Sequence, residues 1–280
     1  YITVMKLKIY FILFFSFSFI EGYSMSEKRK IFAKKISEEI ILDGEVTESF
    51  WEEAQVTSDF VQYSPRDSIQ AQLQSEFRVA YDDKFLYIVA QMEDIPEKKF
   101  IIGDLKRDFF GGSVDYMSFT FDTFQDETNG YMFGISPFGV QREALLSNGG
   151  EGSYNSGGGS RGGSGWFNIN WNTKWYSEVK LYDGYWIAEF KIPFNSLRYK
   201  EGTKVWNFNS YRGNSKINEN SVWTIIPLGF TPANLSMTGE IEFEFPLEKS
   251  SQNLVLIPYM SGSGIRNKVS SPEKDFNFDA

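Results

Sequence analysis

Between residues 31 and 246 the chain carries almost no helical periodicity. Short β-branched and aromatic runs recur between turn signals instead, and segments of that kind read as strands. The runs 75–81 and 85–93 flank Asp82-Asp83-Lys84, a hairpin. The runs 114–122 and 130–136 flank a polar loop, and 140–147 follows the turn Pro137-Phe138-Gly139. The runs 175–182 and 185–193 flank Asp183-Gly184, the strongest short hairpin signal in the chain. With 205–211, 221–227 and 239–245 the count reaches roughly ten strands, and the spacing predicts an all-β, antiparallel, jelly-roll-like sandwich or a barrel. Only 48–54 and 194–197 read as short helical turns, the first with Thr47 or Ser49 as its cap. The segment 149–165 holds nine Gly among 17 residues. It reads as a long loop, either an insertion between strands or a flap beside a binding face.

Composition removes whole classes of chemistry. None of the 280 residues is Cys or His. Disulfides, thiolate zinc sites, Cys nucleophiles, the Ser-His-Asp triad and the HExxH zinc helix are therefore excluded. Proton transfer would fall to carboxylates, Lys or Tyr. The net charge of -9 argues against nucleic acid, which calls for a basic face. The missing His also argues against haem ligation of the Met/His kind.

Residues 5–24 read as a signal peptide: Lys6 and Lys8, an apolar run from Ile9 to Ile20, then Gly22 and Ser24. Residues 1–4 precede the first Met and read as upstream residues or the start of a fragment. The sequence thus predicts an exported protein, in a bacterial outer membrane, periplasm or cell surface. Near the C-terminus, Asp275-Phe276-Asn277-Phe278-Asp279 alternates polar and aromatic, which suggests a strand pattern continuing beyond Ala280.

Ile41-Leu42-Asp43-Gly44, with Trp51 and Ala54 behind it, resembles the opening of family 9 carbohydrate-binding modules. Further segments fit in the same order: 77–88, Phe121-Asp122-Thr123-Phe124, Ser136-Pro137-Phe138-Gly139, Trp171-Asn172-Thr173-Lys174-Trp175, 186–198 and Trp206-Asn207-Phe208-Asn209. The order is similar to that in the N-terminal domain of large Bacteroidetes outer-membrane proteins, where a β-barrel domain of the DUF5916 type follows. This resemblance implies a sandwich over 25–247, the start of a truncated outer-membrane β-barrel at 248–280, and a role in glycan binding or carbohydrate catabolism. It also implies a polysaccharide or oligosaccharide as partner, together with the barrel of the same full-length protein. In sugar-binding members two Trp clamp the ligand. Their places fall here near Gly111-Gly112 and near Pro232-Ala233, and neither holds a Trp; Phe109, Phe110 and Phe230 are the nearest aromatics.

A sugar site wants flat rings rimmed by amide and charged side chains. Such residues cluster directly after the glycine segment. Trp166, Asn168, Asn170, Trp171 and Trp175, with Phe110, are therefore the candidate ligand residues. Trp175, Trp186, Trp206 and Trp223 also fall on predicted strands, where a core position suits them, and Trp51 reads as core. Asp122, Asp126 and Asn129 gather oxygens on one turn, as a structural Ca²⁺ prefers, though without EF-hand spacing. Asp43 and Glu48 offer a further structural-ion reading, or simply a turn and a cap. A glycosidase would need paired carboxylates; Glu178 with Glu189, Glu143 and Asp115 are candidates, without any motif that dictates catalysis. The alternative to sugar binding is a structural or gating domain packed on the barrel.

Overall fold

The computed structural model describes residues 28–248 apart from 39, 101, 102, 104, 110, 113 and 153–164, and the backbone of 261–264 and 276–279. The leader, Phe110, most of the glycine segment and most of the tail lie outside the described residues.

Thirteen strands build the unit Tyr1–Lys249: β1 (Lys30–Lys35), β2 (Val61–Ser64), β3 (Ser75–Tyr81), β4 (Phe85–Glu93), β5 (Tyr116–Asp122), β6 (Gly130–Ile135), β7 (Gln141–Leu146), β8 (Phe167–Asn168), β9 (Tyr176–Tyr182), β10 (Tyr185–Pro193), β11 (Val205–Asn214), β12 (Glu219–Val222) and β13 (Gly239–Phe243). The first sheet runs β8-β7-β6-β5-β11-β13-β1, with β12 and β2 extending it beside β11. The second runs β1-β3-β4-β10-β9. Residues Lys30 to Ala33 of β1 pair with β13, and Lys34 and Lys35 pair with β3. One strand thus belongs to both layers. Both of its pairings are parallel, which departs from a purely antiparallel expectation.

Alternation explains the core. Phe77 and Val79 of β3, Leu86, Ile88 and Ala90 of β4, Met117, Phe119 and Phe121 of β5, Trp186 and Phe190 of β10, and Trp206 and Phe208 of β11 all enter the space between the layers. Phe119 meets Phe190 across it, 5.0 Å between ring centroids. Phe77 is ringed by Phe119, Phe208 and Trp223 at 5.3, 5.5 and 5.6 Å. Arg212 is buried among them. It donates to the carbonyls of Leu73, Gln74 and Glu93 and to Ser75 Oγ, so β11 of one sheet is tied to β3 and β4 of the other.

The outer face of the second sheet is covered by residues 36–54. Ile36, Ile40, Phe50, Trp51 and Ala54 pack on Ala80, Tyr87, Val89 and Ile187. The short helix α1 (Phe50–Glu53) lies in this cover. Ser49 stands at its start without a side-chain capping bond, so the expected cap is positional only. The strand expected over 221–227 ends at Val222, because Thr224 N donates to the Asn209 side chain rather than to a ladder. The Asp183-Gly184 hairpin forms as read, with Gly184 at φ 84°. In the second unit, Ser250–Ala280, β14 (Ser261–Gly264) pairs antiparallel with β15 (Phe276–Asp279).

Candidate functional site

The strands that send Met117, Phe119 and Phe121 inward send Tyr116, Ser118 and Thr120 to the outer face of the first sheet. Opposite them stand Gly134 and Met132 of β6, then Arg142 and Ala144 of β7. On the other side stand Gly213, Tyr211 and Asn209 of β11. The floor of this face is therefore small and polar along its middle. Aromatic side chains border it. Tyr116 lies 5.5 Å from Tyr211, and Tyr211 lies 6.3 Å from Tyr63.

Two loops flank the face. Residues 105–109 lie at one end: Asp108 N donates to Gln141 O, and Phe109 sits 5.7 Å from the Tyr116 ring. Residues 224–238 cross the other: Thr224 N bonds Asn209 Oδ1, Leu235 packs on Leu146 and Trp166, and Asn234 Nδ2 reaches Glu151. The sequence resemblance puts the expected clamp positions in or next to these two loops.

Arg142 occupies the floor under the first loop. The rings of Phe167, Tyr116 and Phe109 surround its guanidinium at 5.0, 5.7 and 5.8 Å. It is 9% exposed, and its Nε has no acceptor among the described residues. Asn209 Nδ2 on the same floor is likewise buried without an acceptor among them. Each is a buried donor whose hydrogen bond is not satisfied among the described residues.

The sequence-predicted cluster divides between two compartments. Trp166 is 8% exposed and packs with Leu146, Leu235, Phe167 and Ala233, at the border of the outer face. It thus stands beside the second clamp position, delivered from a different loop. Trp171 faces the interior, against Tyr131 and Phe133 at 5.3 and 5.9 Å. Trp175 is 4% exposed and stacked on Phe190 at 5.5 Å, with its indole N–H donated to Glu143. Its place is the core. Asn168 and Asn170 are exposed and spend a bond on each other, Asn170 N to Asn168 Oδ1. Apart from Asn168 on β8, the members lie in the connections around β8 and before β9, and the path of these connections separates them. Tyr116, Arg142, Asn209 and Tyr211 were not singled out from sequence. The available signal was a charge in the row Arg142, Ala144, Leu146, otherwise apolar on alternate positions of β7.

The carboxylates have structural partners. Glu178 and Glu189 are direct cross-strand neighbours. Glu189 Oε2 accepts from Asp43 N and Gly44 N at 2.8 and 2.7 Å, while Oε1 is buried and unpartnered. Burial, with Glu48 and Asp43 nearby, pushes its carboxyl up to about 7. Glu143 is held by Arg107 and Trp175. Burial raises Asp115. Asp122 accepts from Phe124 N, Glu127 N and Asn207 Nδ2, and Asp126 accepts from Thr128 N and Asn129 N. The turn's own N–H groups therefore occupy these oxygens. Among the described residues no three acidic side chains converge on a metal-sized site.

A sequence model of the carbohydrate family 9 binding domain-like family matches residues 41–219. Among solved structures, a family 9 carbohydrate-binding module from Caldicellulosiruptor kristjanssonii in complex with glucose is 17% identical, with a TM-score of 0.54, covering 81% of this chain and 99% of its own. A module of that family from the same organism, in complex with cellotriose, is 16% identical, with a TM-score of 0.52, covering 82% and 100%. A candidate carbohydrate-binding protein from Bacteroides uniformis ATCC 8492 is 12% identical, with a TM-score of 0.57, covering 78% and 100%. At these identities the likeness concerns the fold, a β-sandwich. No curated protein matches the chain.

Proposed function

Because the chain belongs to the carbohydrate family 9 binding domain-like family, we propose that it binds a saccharide on the outer face of its first sheet. One observation carries this reading. A small, polar floor of Ser118, Thr120, Gly134 and Asn209 lies between the rings of Tyr116, Tyr211, Phe109 and Phe167 and is bracketed by the two loops that hold the clamp positions. Rings suit the CH-rich face of a sugar, and a polar floor suits its hydroxyls. The fold relatives solved with glucose and with cellotriose support the ligand class.

The test is calorimetric titration of the full chain with cello-, xylo- and uronate oligosaccharides. Tyr116→Ala and Tyr211→Ala are each expected to weaken binding about tenfold, the order of one lost stacking contact. Loss of binding on changing the interior Trp175, with both tyrosine variants unaffected, would count against this face.

The cellular setting is a proposal resting on the leader pattern at 5–24 and on the resemblance of the chain to barrel-associated domains. In this reading the domain works outside the cytoplasm and serves an outer-membrane β-barrel of the same protein. A structural Ca²⁺ at Asp122, Asp126 and Asn129 remains part of the proposal. A melting temperature insensitive to chelator would argue against it.

A further inference from the structure

Arg142 is a buried cation without an ion pair among the described residues, although the Asp108 carboxylate lies near enough to feel its charge. It lies nine-tenths buried on the floor of the outer face, within three aromatic rings at 5.0 to 5.8 Å. Among the described residues its Nε, sealed from solvent, finds no acceptor, and no carboxylate lies within ion-pair distance of the guanidinium. The neighbouring carboxylate on β7, Glu143, points to the opposite side of the sheet, where Arg107 and Trp175 take it. Asp108 spends an oxygen on Glu143 N. Ring faces compensate part of the desolvation of a guanidinium. They do not satisfy its N–H groups.

The position of this cation is informative. The first clamp position falls at Gly111-Gly112, and Gly111 lies directly against the guanidinium. A Cβ there would collide with Arg142 Nη1 and come within 2.8 Å of the Tyr116 ring. A side chain of any size at 111 and this placement of Arg142 are therefore incompatible. At this position the chain presents a cation framed by rings rather than an aromatic platform. A platform favours the apolar face of a neutral sugar. A guanidinium favours a planar, charged acceptor that can take two N–H groups at once.

Building on the saccharide reading above, we infer that the preferred ligand is an acidic saccharide, one whose sugar carries a carboxylate. The carboxylate enters between the two loops and takes the guanidinium fork of Arg142. Tyr116 and Phe167, which flank the cation, contact the CH groups of the same ring.

The test compares trigalacturonate with its methyl ester, and with maltotriose as a neutral sugar, on the full chain and on Arg142→Gln and Arg142→Lys. The expected result is that the wild type binds the free acid at least about tenfold more tightly than the ester, the step of one charge-assisted bidentate contact. Arg142→Gln is expected to abolish that preference while ester binding persists. Arg142→Lys keeps the charge without the fork and is expected to retain only part of the preference. Equal binding of acid and ester by the wild type would overturn the acidic-ligand inference and leave the saccharide reading standing. A preference that survives in Arg142→Gln would overturn the role of Arg142. No binding to acid, ester or maltotriose would overturn both readings. If the Gln variant fails to fold, the acid–ester comparison on the wild type still decides the charge preference.

Discussion

Glu189 shows what a single buried side chain does to this domain. Two backbone N–H groups hold one of its oxygens, the other has no partner, and Glu48 and Asp43 add like charge. Its folded-state pKa of about 7 lies above the ordinary 4.5. The folded state therefore binds the proton more tightly than the unfolded state. The associated stability is fully present below about pH 4.5 and is lost as pH rises through about 7, by roughly 3 kcal/mol. Glu189→Gln keeps an acceptor for Asp43 N and Gly44 N without the charge. Urea midpoints at pH 5 and pH 8 are expected to differ clearly in the wild type and to converge in the variant; an unchanged pH dependence would mean that another group carries it. At the same scale, the indoles of Trp171 and Trp175 face the core rather than a ligand, because their neighbours are Phe133, Tyr131 and Phe190. Spacing alone could not divide them from Trp166.

At the scale of elements, β1 stands out because it is shared. Ile31 and Ala33 point into the core, while Phe32 between them is 54% exposed. The strand pairs in parallel with β13 and then with β3, so it seals the same edge of both layers. Ile31→Asp buries a charge with no counter-ion and is expected to cost about 3 kcal/mol or more. Phe32→Asp, one residue away on the other face, is expected to stay within about 0.5 kcal/mol. Equal effects in chemical denaturation would mean that the strand does not alternate as described. The hairpins were legible because turn chemistry is local. Asp82 Oδ1 accepts from Lys84 N and Phe85 N, and Gly184 takes the positive φ that its turn requires. The parallel pairings of β1 were not legible. Nothing local marks a strand whose partners lie some 50 and 210 residues away.

At the scale of the unit Tyr1–Lys249, two sheets are joined by rings and by a buried cation. Arg212, fully buried, donates to three carbonyls and a hydroxyl of the opposite layer. Desolvation pulls its pKa down to about 10, which leaves it charged at neutral pH. Arg212→Leu strands those carbonyls and leaves the nearby Asp115 without its balancing charge. A loss of about 3–5 kcal/mol is expected, read from the denaturation midpoint, and a neutral outcome would show that water replaces the guanidinium. The sequence by itself determined the fold class, the hairpins and the chemistry that a chain without Cys or His cannot perform. Those properties follow from composition, period-two alternation and turn residues, all of which are local. Which residues share the candidate face was decided only by tertiary structure. Tyr116, Arg142 and Tyr211 lie on three separate strands and become neighbours through the register of the first sheet. Trp166 and Trp175, nine positions apart in the chain, end in different packing clusters because each lies just before a different strand, β8 and β9, and these stand at opposite ends of the strand order.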